Sequence, residues 1–323
     1  MKNKLNYFFL AFTISTIFYN GCVDKFELPT LSGDLGNIAG DTVYVPINPA
    51  WEGFNKPQDI FIGNEPFIYV ADTDNDQIVM MNLAGKVLGV KSIKKPIAIS
   101  QDYQLNLIVC AEFDTAGQVY GAVFKIDLVS AGHNIENAPV TRILPRPNVS
   151  SDLRTEIKYT GACVLFDNSF YIARNGPKNS SIFDPDNSIL IFEKKILSDG
   201  TKKDTLIGRL PSIEPLGTGL MTANVISSLT SFKRRDNDFI ITLTGNTSFK
   251  TQWLFYNFAS ETPGYENKLR PGNNQFMLPN KFVRPEGSAV DNSGNIFVAD
   301  AGRDRIYKFN SFGDELESFG GSN

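Results

Sequence analysis

Two distant stretches of this chain keep the same residues at the same offsets. Residues 57–81 read PQDIFIGNEPFIYVADTDNDQIVMM and residues 285–309 read PEGSAVDNSGNIFVADAGRDRIYKF. Pro57 matches Pro285, Ala71-Asp72 matches Ala299-Asp300, and Gln77-Ile78 matches Arg305-Ile306, with no gap between. Repetition of this kind implies stacked supersecondary units, each unable to bury its apolar faces alone. Within each copy, three β-rich runs are separated by short polar turns, and connections that short force antiparallel neighbours. The middle run is apolar on both faces, with Phe67 and Tyr69 on one side and Ile68 and Val70 on the other. A sheet covered on both faces must lie between other sheets, and sheets packed face to face around an axis make a propeller.

The same three-run rhythm returns in residues 96–127, 160–193 and 226–258, which brings the countable units to five. The pattern P-x-G-x-A-V-D, G-N-I-F-V-A-D, R-I-x-K-F resembles an NHL repeat, strongly over residues 285–309 and well over 57–81. The resemblance implies an all-β, NHL-type β-propeller with six blades, against five read from the runs. An N-terminal strand at residues 42–47 (TVYVPI) and a C-terminal one at 315–319 compete for the outer position of the last blade.

The first residues have another layout. Lys2 and Lys4 precede an apolar run at 7–18 that is too short to span a bilayer, as in a secretory leader. Gly21-Cys22 closes it and resembles a bacterial lipobox, with Cys22 as the lipidated residue; Tyr19 and Asn20 depart from the usual pattern. The expected organisation is a lipoprotein-type signal peptide at 1–21, a tether at 22–40 and a propeller at 41–323. This resembles envelope lipoproteins of Bacteroidota type, anchored in the outer membrane and facing the periplasm or the exterior. The chain carries a net charge of −4 at pH 7, and loss of Lys2 and Lys4 makes it more acidic, which argues against nucleic acid as a partner.

Loops between second and third strands, and between one unit and the next, emerge on one face of such a disc. The lengthened connections at 114–121, 145–158, 175–187, 211–225 and 259–281 are of these kinds, with 129–139 the exception. Loops on a rigid scaffold carry function, so this face is the expected binding face, and a protein or glycan of the envelope or cell exterior the expected partner. The position after each second run opens onto it and holds Asp72, Glu112, Arg174, Thr244 and Asp300 in turn. These form either a polar ring at the tunnel mouth or, for the aspartates, caps on their own turns.

An enzyme is the competing class, because lactonases and lyases resembling this fold hold a cation in the central tunnel. Glu112, Asp72 and Asp300 would supply carboxylates, while Arg174 puts a fixed positive charge into the same ring and disfavours a divalent ion. No catalytic or metal-binding set is assigned, and calcium, structural or in the tunnel, is the one cofactor left open. DTDNDQ starts like an EF-hand loop, with Asp72, Asp74 and Asp76, but Gln77 and Leu83 stand where glycine and glutamate belong; Asp184, Asp186 and Asn187 form a second acidic cluster. The lone His133 argues against a multi-histidine zinc site. Cys110 and Cys163 are either a disulfide or two buried thiols. Trp51, Phe183, Phe249, Tyr265 and Phe276 fall outside the runs, as contact residues or as packing for the insertions.

Overall fold

The computed structural model describes residues 47–179, 181, 183–232 and 236–320. The leader, Cys22, the tether and nearly all of the 42–47 strand candidate lie outside the described residues; Ile47 is described and is not in a strand. The chain divides into Met1–Ala50, of which 47–50 are described and exposed, and Trp51–Asn323, which holds the propeller.

Five four-stranded antiparallel sheets follow one another in chain order. Blade 1 is β1 (Asp59–Ile62), β2 (Phe67–Asp72), β3 (Gln77–Asn82) and β4 (Val87–Ser92). Blade 2 is β5 (Ala98–Gln101), β6 (Asn106–Thr115), β7 (Gln118–Asp127) and β8 (Val140–Leu144). Blade 3 is β9 (Lys158–Val164), β10 (Phe170–Asn175), β11 (Asn187–Ile196) and β12 (Lys202–Arg209). Blade 4 is β13 (Ile226–Ser231), β14 (Phe239–Leu243), β15 (Thr251–Asn257) and β16 (Gly264–Asn267), and blade 5 is β17 (Pro285–Val290), β18 (Ile296–Asp300), β19 (Arg305–Phe309) and β20 (Glu315–Gly320). The five units read from the runs are these five blades. A sixth, expected from the family resemblance, is not present among the described residues. The extra chain between units forms the outer strands β8, β12 and β16 and the long loops. The outer position of blade 5 is taken by the C-terminal β20, paired with β19 from Ile306↔Phe319 to Phe309↔Glu315.

The alternation in β2 places its side chains as expected. Tyr69 and Ala71 join Ile78, Met80, Leu107 and Val109 between blades 1 and 2, while Ile68 and Val70 face the other way with Val79 and Met81 under Trp51 and Phe54. Separate apolar clusters fill the seams between blades 2 and 3, 3 and 4, and 4 and 5. Burying each such aliphatic or aromatic side chain contributes roughly 1.5–3 kcal/mol. In the seam between blades 4 and 5, Phe232 stacks on Trp253 with centroids 4.4 Å apart. On the other side of the inner strand of blade 1, Ile60 and Ile62 are 59% and 60% exposed.

Near the axis the strands are joined by polar side chains as well. Thr160 donates to the Ile226 carbonyl at 2.6 Å, Ser231 to Val164 at 2.6 Å, Ser227 to Pro285 at 2.7 Å and Thr230 to Ser288 at 2.8 Å. Between blades 1 and 2 the acceptor is a carboxylate, with Ile99 N–H donating to Asp59 Oδ2 at 2.7 Å. Strands β9 and β13 approach closely at Gly161, where a Cβ would stand 2.8 Å from Leu229 N and 3.1 Å from Ser228 Cα. Only glycine fits there without moving backbone.

Candidate functional site

The five positions after the second strands do not share a role. Asp72 is fully buried and accepts from Asn55 N–H at 2.7 Å, Asn75 Nδ2 at 2.7 Å and Gln77 Nε2 at 2.9 Å. Asp300, equally buried, accepts from Val283 N–H at 3.0 Å and Arg284 N–H at 2.7 Å, and pairs with Arg303 at 3.1 Å. Both aspartates therefore tie down the chain entering their blades. Glu112 pairs with Lys158 of the next blade at 2.6 Å, and Thr244 turns its hydroxyl to the Val225 carbonyl at 3.4 Å. Arg174 is buried, donates to the Pro185 carbonyl at 2.9 Å, and pairs with Asp184 at 2.8 Å. None of the five is among the residues that line the central channel.

Three of the lengthened connections converge elsewhere. The segment at 114–121 is not a free loop; β6 and β7 extend through it in register from Asn106↔Asp127 to Thr115↔Gln118 and turn at Ala116-Gly117, both at positive φ. The tip of this hairpin, residues 153–156 of the following connection and residues 177–178 border an open cleft of about 530 Å³ between blades 2 and 3. It is lined by Gln118, Tyr120, Arg154, Thr155, Glu156 and Lys178, among others. Two of these segments touch at Gly176, at φ +77°, where a Cβ would lie 2.4 Å from the Glu156 carbonyl oxygen. Glycine there lets the loops close against each other.

The cleft rests on ion pairs and a tilted aromatic pair. Arg146 grips Asp152 through Nε at 2.8 Å and Nη2 at 2.9 Å, holding the 145–157 connection. Burial raises the Asp152 carboxyl, but the Arg146 hydrogen bonds and charge outweigh it and leave the group below the ordinary aspartate range. Asp184 is shared: Arg174 lies 2.8 Å from Oδ1 and Arg154 lies 3.7 Å from Oδ2. Buried Arg174 Nε has no hydrogen-bond partner. Tyr120 sits 5.7 Å from Phe113, whose ring carries the Arg142 guanidinium at 4.3 Å. Phe183, on the 176–186 loop, is 90% exposed.

The central channel, of about 370 Å³, is lined by the inner strands β1, β5, β9, β13 and β17. Its polar groups are mostly hydroxyls, among them Thr160, Ser228, Thr230 and Ser288, and it includes Asp59 and Glu286. Burial pushes the Asp59 carboxyl up to about 6, with the Ile99 N–H bond opposing. Sequence reading missed Asp59 because it sits inside the strand DIFI; only its place at the axis gives it a distinct environment. Calcium takes six to eight oxygen ligands. The channel offers the Asp59 carboxyl, already bonded to Ile99, and Glu286, paired with Arg284 at 2.9 Å. Among the described residues no three His, Cys, Asp or Glu side chains converge as a metal site.

The acidic clusters are engaged by neighbouring segments of the chain. Asp74 pairs with Lys56 at 2.9 Å and Lys95 at 3.0 Å, Asp76 accepts from Lys95 N–H at 2.9 Å, Asp186 accepts from Asn179 N–H, and Asn187 accepts from Gly176 N–H at 3.1 Å. His133 lies in the 128–139 connection at φ +63°. Of the two alternatives for the cysteines, the structure has buried thiols, with Cys110 in the seam between blades 2 and 3 and Cys163 in that between 3 and 4. Tyr265 and Phe276 are core residues, and Trp51 packs on blade 1.

No family model matches this chain, and no curated protein matches it by sequence. Solved structures do match. Regucalcin, a calcium-binding protein from Agrobacterium tumefaciens str. C58, superposes with a TM-score of 0.51 at 12% identity over 84% of this chain and 76% of that one. An auxiliary nutrient binding protein from Bacteroides thetaiotaomicron VPI-5482 superposes with a TM-score of 0.50 at 8% identity over 84% of this chain and 60% of that one. At these identities the likeness is one of fold, and the fold is that of a β-propeller.

Proposed function

We propose that this chain is a non-catalytic binding module: an NHL-like propeller, lipid-anchored through Cys22 in the envelope of a Bacteroidota-type bacterium, that engages an envelope or extracellular protein or glycan through its loop-bearing face. The observation that carries the reading is the convergence of the β6–β7 tip, the 145–157 connection and the 176–186 loop around one cleft. Long connections on a rigid scaffold are where binding residues collect. The two fold neighbours are described as binding different things, calcium and a nutrient, so the fold does not choose a ligand and the site must. The enzyme reading draws less support, because the channel holds a sparse carboxylate set and Glu112, Asp72 and Asp300 are engaged in structural bonds.

Two experiments test this. Labelled palmitate should enter the wild-type chain in its native host and be absent from Cys22→Ser; label in both, or in neither, contradicts the anchor. Capture from native envelope should be lost when residues 146–156 and 176–186 are replaced by short glycine-serine turns, with unfolding cooperativity kept. Equal capture by both forms contradicts the binding face.

A further inference from the structure

The reading of the loop face as a binding surface leaves the ligand open, and the cleft between blades 2 and 3 narrows it. We propose that this cleft is a saccharide site selective for sugars that carry a carboxylate. The proposal rests on the binding-face reading and adds the ligand class.

The cleft's size lies within the range of small-molecule sites, about 300–1,000 Å³. Besides Leu153 and Pro177, its lining joins one aromatic ring, Tyr120, to side chains that are hydrogen-bonding or charged: Gln118, Thr155, Glu156, Arg154 and Lys178. A sugar presents this combination in complement, with an apolar ring face for Tyr120 and edge hydroxyls that both donate and accept. Gln118 and Glu156 can accept from such hydroxyls, while Arg154, Lys178 and Gln118 can donate to them. Tyr120 is steadied against Phe113, which reduces the ordering cost of stacking. A peptide would ask instead for apolar pockets to take its side chains, and this lining has few apolar groups.

Charge gives the selectivity. The cations around the cleft are mostly spent internally, Arg146 on Asp152, Lys158 on Glu112 and Arg174 on Asp184. Arg154 and Lys178 are the least engaged of them. Arg154 has one long ion pair, 3.7 Å from an Asp184 carboxylate that Arg174 holds at 2.8 Å, and Lys178 makes no ion pair with a described residue. Against these two cations the lining sets one carboxylate, Glu156. A planar guanidinium meets a carboxylate through two parallel N–H bonds, and Lys178 adds a mobile point charge. The acidic balance of the whole chain disfavours an extended polyanion, but screening over about 8 Å at physiological salt leaves a single carboxylate in the cleft to the local cations.

The test is isothermal titration calorimetry of the full chain with four probes: trigalacturonate, its methyl ester, sialyllactose and lactose, with hexaglutamate as the peptide probe. At least one acidic sugar should bind, and its neutral counterpart should bind at least about tenfold more weakly. Arg154→Gln with Lys178→Gln should erase that preference, Tyr120→Ala should weaken acidic and neutral sugars alike, and affinity should fall with added salt. Equal binding of acidic and neutral sugars overturns the selectivity, and binding of hexaglutamate alone overturns the ligand class. If no sugar binds while the chain still captures an envelope partner in a loop-dependent way, this proposal fails and the binding-face reading stands. If neither occurs, both fail.

Discussion

Asp72 and Asp300 play the same part at opposite ends of the propeller: each closes the second strand of its blade, is fully buried, and accepts a 2.7 Å hydrogen bond from the backbone of the incoming chain, Asn55 for one and Arg284 for the other. The repeated Ala-Asp is thus a device for fastening the incoming chain to the blade that it enters. Replacing Asp300 with alanine leaves the Val283 and Arg284 N–H groups without their acceptor and Arg303 without its ion pair, at a cost of roughly 3 kcal/mol. Asp72→Ala should cost about the same. Urea unfolding measures both, and a loss under about 1 kcal/mol would contradict the fastening role.

Asp59 makes stability depend on pH in the unusual direction. Its folded pKa, about 6, lies above the unfolded value of 3.8, so the native state binds the proton more tightly. Below pH 4 the group is neutral in both states and makes no difference. As pH rises through 6 the native chain must ionise a carboxyl against its surroundings, and up to about 3 kcal/mol of stability is lost. Asp59→Asn keeps an acceptor for Ile99 N–H, so it should match the wild type near pH 4 and exceed it at pH 7.5. Unfolding midpoints at both pH values decide; a variant less stable at pH 7.5 contradicts the account.

At Gly161 the close approach of β9 and β13 leaves no room for a methyl group. Gly161→Ala should lower stability by about 1–3 kcal/mol and Gly161→Val by more, since backbone must move. Thermal unfolding reads this, and an unchanged Tm for alanine would mean that the two strands separate freely.

The two buried thiols should be silent to a thiol reagent in the native state. Burial pushes Cys163 up to about 12 and Cys110 beyond the ordinary thiol range, so neither offers thiolate at pH 8. In a chain carrying Cys22→Ser, both should react after unfolding in guanidinium under non-reducing conditions, whereas a disulfide would leave both silent there.

How far the sequence showed this follows from where each residue lies. β1–β3 and β17–β19 came from the repeat, and β5–β7, β9–β11 and β13–β15 from apolar runs, because the second strand of each blade is largely covered on both faces. Of the outer strands, β20 was read at 315–319, while β4, β8, β12 and β16 escaped. β12 (Lys202–Arg209) and β8 (Val140–Leu144) lie at the rim with no fully buried residue in the first and one in the second, so their apolar signature is weak. β16 (Gly264–Asn267) was absorbed into a supposed loop at 259–281. The loop face was legible from connection lengths, but Tyr120, Arg154 and Lys178 were not. They come from three separate segments and share a cleft only once β6 and β7 extend and Gly176 lets two loops meet.

The central claim is that the loop-bearing face does the binding, and site-specific photo-crosslinking in the native envelope tests it most directly. One crosslinker replaces Phe183, exposed on the 176–186 loop; the other replaces Leu197, exposed in the turn between β11 and β12, where connections emerge on the opposite face. The account predicts a discrete crosslinked product from position 183 and none from position 197. A product from 197 alone, or equal products from both, would contradict it.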